Sequence, residues 1–172
     1  MVLGLKIPDG DGLKAIKPLM PAFLSYVLSF IYLGIYWNNH HHMVHTVRKV
    51  TGSILCANLH LLFWLSLVPF TTAWMGENHF AAIPVAFYGG ILFMAAVAYF
   101  ILQGLIIGSH GKDSILKKAV GKDVKGKLSL FFYGAAIGCS FWLPWISLSL
   151  YSLVALIWLV PDKRIEKVMP TE

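Results

Sequence analysis

The chain has 172 residues, of which 58% are hydrophobic and only 13% charged. That balance, with a positive mean hydropathy, excludes an ordinary soluble domain and points to an integral membrane protein. The net charge of +6 sits in short loops between long apolar runs rather than in a stripe or arm, which excludes a nucleic-acid surface.

Residues 1 to 18 begin with an apolar stub, Met1 to Leu5, and continue through Lys6, Pro8 and the turn-rich Asp9 to Gly12. The stub is too short for the apolar core of a secretory signal. A first span is predicted from about 19 to 45. Pro18 and Pro21 stand at its start, where the first helical amides lack partners anyway. Its apolar part runs from Ala22 to Trp37 and passes into Asn38, Asn39 and His40 to His42, the densest cluster of versatile side chains in the chain.

A second span is expected over about 53 to 75, with Asn58 and His60 near its start, each set to hydrogen-bond to a neighbouring helix, since an unpaired polar group at membrane depth is costly. A third span covers about 80 to 108. The segment 109 to 127 carries six lysines and reads as a basic loop, with a short surface helix over Ile115 to Val120 as the alternative.

Residues 128 to 160 are apolar throughout. As one helix they would be about 50 Å long against about 30 Å of hydrocarbon, so a hairpin turning near Leu143 and Pro144 is expected, with spans at about 128 to 143 and 145 to 160. Charge supports this. Only with a hairpin do Arg48 and Lys49, the lysine-rich loop, and Lys163, Arg164 and Lys167 share one side, together 11 of the 14 basic residues. The positive-inside rule makes that side cytoplasmic. The reading is one all-α, polytopic membrane bundle over 1 to 172, five transmembrane helices as written, with a cytoplasmic C-terminus.

Cys56 and Cys139 fall in apolar runs and read as small buried residues, not a disulfide. Gly104 with Gly108, and Gly134 with Gly138, have the spacing that allows close helix packing. The Trp and Tyr residues are read as interface anchors. His41 and His45 stand one turn apart, a two-ligand metal spacing. A closed site needs further ligands, so no metal and no cofactor is assigned. Glu77 is the only carboxylate between Asp11 and Asp113, which leaves no acid and base pair and no enzyme.

Leu28 to His41, Asn58 to Leu62 and Ser66 to Ala73 resemble the second and third helices of the transmembrane protein 175 potassium-channel family, in its prokaryotic branch. The resemblance implies a homo-oligomeric, tetrameric potassium channel in the plasma membrane, with potassium ions and the bilayer as partners and six helices per subunit. It places Trp37, His40 and Asn58 in a polar network near the cytoplasmic end, and matches the family's Leu-Pro-Phe-Thr-like element to Val68 to Thr72. The family's first, pore-lining helix with its Phe-Ser-Asp motif is not among these residues; Met1 to Pro8 resemble its end, so no pore-lining residue is assigned. The alternatives are a non-conducting membrane protein lacking that helix and, more remotely, a haem or metal membrane protein.

Overall fold

The computed structural model describes residues 16–47, 49–111, 114–121 and 123–159. The stub at Met1 to Leu5 and the basic residues Arg48, Lys112, Lys122, Lys163, Arg164 and Lys167 lie outside them. The described residues are all helical apart from turns and caps: α1 (Met20–His45), α2 (Gly52–Glu77), α3 (Ala82–His110), the short α4 (Ile115–Val120), α5 (Val124–Cys139) and α6 (Pro144–Leu159).

Each boundary has a local cause. A 3-10 turn, Lys17–Leu19, leads into α1, with proline among the first two residues of each, where no intrahelical amide bond is lost. Thr46 closes α1, its hydroxyl donating to the Met43 carbonyl at 2.7 Å. Thr51 opens α2 by accepting from the Ile54 amide, the usual N-cap arrangement. His79 and Phe80 turn the chain into α3 with φ of 51° and 58°. Gly111 and Gly121 end α3 and α4 with φ of 57° and 59°, backbone that glycine adopts without a Cβ penalty.

Helix α3 is the hub, packed against α2 and α5 and touching α4 and α6. The core has two parts. One gathers Met43, Leu61, Ala95, Ala98, Leu102, Ile106 and Leu116 around the polar end of α1. The other gathers Tyr32, Val68, Tyr88, Leu92, Tyr133, Tyr151 and Val154. Around them the surface is apolar, with Phe63, Phe70, Ile83, Phe131 and Leu156 exposed. Water does not tolerate so continuous an apolar surface; hydrocarbon does.

Helices α2 and α3 are long and apolar enough to cross a membrane. Helices α5 and α6 have 16 residues each, about 24 Å at 1.5 Å per residue. They form a hairpin through the turn at 140 to 143, with Pro144 as the first residue of α6. The Ser147 hydroxyl donates to the Ala136 carbonyl at 2.7 Å near the turn. At the far end the Trp158 indole donates to Ser129 Oγ at 2.8 Å.

Of the two readings of the 109–127 segment the structure has the short helix: Ser114 caps α4, and Leu116 inserts into the core. Three sequence readings need correction. Helix α5 starts at Val124, before 128, because the Asp123 carboxylate accepts the Gly126 amide and caps it there. Cys56 is exposed and Cys139 half-buried, because a helix in a bundle shows part of its apolar surface to the outside. The tyrosines are not mainly interface anchors: Tyr32, Tyr88, Tyr99, Tyr133 and Tyr151 are buried in the core.

Candidate functional site

The polar end of α1 lies against the start of α2. His40 Nε2 donates to Asn58 Oδ1 at 2.7 Å, which fixes the Nε2–H tautomer of that ring. Both side chains are half-buried, and the bond spans two helices, so each supplies the partner that the other would lack in an apolar medium. Asn39, buried on the next face, donates to the Ile35 carbonyl at 2.8 Å and the Trp158 carbonyl at 3.1 Å. The Tyr99 hydroxyl donates to the Asn39 carbonyl at 3.2 Å. Asn39 thus ties α1 to α6 and to α3. It is not one of the three residues, Trp37, His40 and Asn58, that the resemblance places in a network, yet it is bonded at the same end of the bundle.

His60 does not reach another helix. Its Nε2 accepts from the Trp64 indole at 2.8 Å, one turn along the same helix. Trp37 is also elsewhere: its side chain is 64% exposed and stacks on His41 with ring centroids 5.0 Å apart. The three residues read as one network therefore divide, His40 with Asn58 inside and Trp37 outside. His41 and His45 face outward with Trp37, their Nε2 atoms 3.0 Å apart. Among the described residues no group of three or more His, Cys, Asp or Glu is placed to hold a metal ion.

At the other end of α2, Pro69 has no amide to give the Leu65 carbonyl. The hydroxyls of the following turn bond to other carbonyls of the same helix. Thr71 donates to the Leu67 and Val68 carbonyls at 3.2 and 3.0 Å, and Thr72 to Val68 at 2.7 Å. In the Val68 to Thr72 element both threonines are thus buried with their hydroxyls bonded within their own helix.

The spaced glycines do not pack within the chain. A Cβ added at Gly104, Gly108, Gly134 or Gly138 would meet nothing within 4 Å. The close approach is at Gly89, where a Cβ would fall onto the Tyr151 ring and hydroxyl. Tyr151 fills that space, donating to the Val85 carbonyl at 3.2 Å, and its own carbonyl accepts from the Tyr32 hydroxyl at 2.6 Å. Beside this cluster lies a cavity of about 30 Å³ lined by Tyr32, Tyr36, Asn39, Tyr133, Trp158 and Asp123 among others, room for about one or two waters. The Asp123 carboxylate accepts from Gln103 at 3.0 Å.

The tyrosine cluster has a signal in the sequence, distinct from that of interface anchors. Tyr32, Tyr36, Asn39 and Met43 recur at helical spacing, as do Tyr88, Leu92, Ala95, Tyr99 and Leu102, and such stripes mark buried faces.

Against this geometry, a potassium channel of Chryseobacterium sp. (strain P1-3) is 56% identical over 167 residues, covering 97% of this chain and 87% of its own length. The chain belongs to the TMEM175 family. Residues 1–69, which take in α1 and most of α2, match the family described as the endosomal/lysosomal potassium channel TMEM175. Potassium channels of Streptomyces collinus and Chamaesiphon minutus are 29% and 28% identical, each over 58% of this chain. The chain spans about half the length of those two, 52% and 53%. No solved structure matches. As a TMEM175-family protein the chain is a membrane protein and not an enzyme. The family match covers the His40 to Asn58 crossing and the Pro69 position.

Proposed function

We propose that the chain is the subunit of a potassium channel, conducting passively as a homo-oligomer in a bacterial or archaeal plasma membrane. The observation that carries this is the 56% identity, over 97% of the chain, to a bacterial protein named a potassium channel. The fold is consistent with it. An apolar exterior surrounds a helical bundle in which buried polar side chains bond to neighbouring backbone or side chains, Tyr88 excepted, as suits a bilayer.

In this reading α1, α2, α3, α5 and α6 are the five spans. The short α5 and α6 hairpin is accommodated by local thinning of the bilayer or by neighbouring subunits, and the basic loops and the C-terminus face the cytoplasm. The stoichiometry is four by resemblance to prokaryotic relatives. Within the subunit, the His40 to Asn58 bond, the Asn39 ties and the Tyr151 to Val85 bond hold the frame on which the assembly rests; they are positioning contacts.

The test is electrical. The purified chain in a planar bilayer, with a potassium gradient across it, should give currents that reverse near the potassium equilibrium potential. Currents absent at every protein density, or reversing with the anion gradient, would overturn the proposal.

A further inference from the structure

The pair left over by the function is His41 and His45. We propose that these two imidazoles form a chelating site for a divalent transition-metal ion at the polar end of α1, copper(II) or nickel(II) before zinc.

The argument is geometric. His41 and His45 are one helical turn apart, both exposed, with Nε2 atoms 3.0 Å from each other. For metal–nitrogen bonds of about 2.05 Å, a 3.0 Å separation gives a nitrogen–metal–nitrogen angle of about 94°. The two nitrogens can therefore reach neighbouring positions in the shell of one ion. Tetragonal nitrogen and oxygen sites favour copper(II) and nickel(II), and copper(II) leads the affinity order for any such ligand set.

The proton balance is simple. In the present contact one Nε2 carries the proton and the other accepts it. On metal binding the donor ring shifts its proton to Nδ1, a small rotation of both rings turns the two lone pairs to one outside point, and no net proton is lost. The remaining positions are open to water, since among the described residues no third His, Cys, Asp or Glu joins the pair. Stacking on Trp37, with the rings 12° from parallel, holds the His41 ring and places an indole beside the ion.

His42 provides the internal control. It touches His41 only edge-on, with ring centroids 6.3 Å apart, so it does not share the chelate. The other histidines in the region are engaged within the bundle, His40 with Asn58 and His60 with Trp64.

The experiment is a copper(II) titration of the full chain in detergent, purified without a histidine tag, followed by calorimetry and by tryptophan fluorescence. Binding of one ion per chain should quench part of the emission. His41→Ala and His45→Ala should each weaken binding by about tenfold or more, because the second ligand no longer acts at high effective concentration. His42→Ala should bind as the parent does. Trp37→Phe should still bind but lose most of the quenching, and zinc should bind more weakly than copper. All four variants alter outward or half-buried side chains, and unchanged circular dichroism checks their folding. Equal affinity in the His41, His45 and parent proteins, an equal loss in His42→Ala, or undiminished quenching in Trp37→Phe would overturn the site.

Discussion

Replacing Gly89 with alanine tests the packing at the centre of the bundle. An added Cβ would lie 2.7 Å from Tyr151 Cζ, 2.9 Å from Ile137 Cγ1 and against the Tyr151 hydroxyl. Alanine is intrinsically better than glycine in a helix by about 1 kcal/mol, which pulls toward stabilisation. Two effects oppose it. Overpacking a tight core costs about 1–3 kcal/mol, and moving Tyr151 breaks its bond to the Val85 carbonyl, about 1 kcal/mol net. The neighbouring Gly90, with open space where a Cβ would go, carries only the first term. Gly89→Ala should therefore destabilise by about 1–3 kcal/mol while Gly90→Ala is neutral or stabilising by up to about 1 kcal/mol. Unfolding in mixed micelles of rising denaturing-detergent fraction, followed by circular dichroism, measures both. Adding Tyr151→Phe to Gly89→Ala removes the clashing oxygen and should recover part of the loss, a coupling that a double-mutant cycle reads directly. Equal midpoints for Gly89→Ala and Gly90→Ala, or strictly additive effects with Tyr151→Phe, would refute the reasoning.

Other consequences follow from the same contacts. His40→Leu or Asn58→Leu should each lower stability by about 1 kcal/mol, the range of interhelical bonds in membranes. His42→Leu should have a smaller effect, and the double change His40→Leu with Asn58→Leu should cost less than the sum, since neither partner is left unpaired; the same micelle titration reads all four. Leu116→Ala should cost about 2–3 kcal/mol, because Leu116 is buried in the core, whereas a freely solvated loop would show no change. Trp158→Phe removes the indole bond to Ser129 and should lower the midpoint by about 1 kcal/mol, with Trp142→Phe, on the exposed turn, as a neutral comparison. A reporter enzyme active only in the cytoplasm, fused after Glu172, should be active; an inactive fusion would refute the orientation.

The helical, membrane-embedded character of the chain was legible because hydropathy reports solvent more than packing. An apolar run such as 80 to 108 is long enough to cross a bilayer, whatever it packs against. The resemblance groups Trp37, His40 and Asn58, of which the structure bonds His40 to Asn58; the physical logic of that bond is general, because a polar side chain in an apolar medium needs a partner. What composition does not specify is which neighbour it finds. His60 satisfies itself on Trp64 one turn away, and Trp37 turns outward onto His41, because a local partner on the same helix needs no tertiary precision. The glycine pairs at 104, 108, 134 and 138 mark a spacing without saying which face of the helix is covered. Gly89 lies in no such pair, and its importance depends on a tyrosine 62 positions away. Capping was similarly hidden: Asp123 and Ser114 act through one or two local bonds that shift a boundary or fold a loop inward, and a hydropathy window does not register them.

The measurement that bears most directly on the central claim is potassium flux from liposomes containing the purified chain. Vesicles loaded with potassium and diluted into an impermeant cation should release potassium when a protonophore supplies the compensating charge, at a rate that rises with protein density. Protein-free vesicles should stay tight until a potassium ionophore is added. Folded, inserted protein that leaves the vesicles as tight as the protein-free controls would contradict the assignment of this chain as a potassium-conducting subunit.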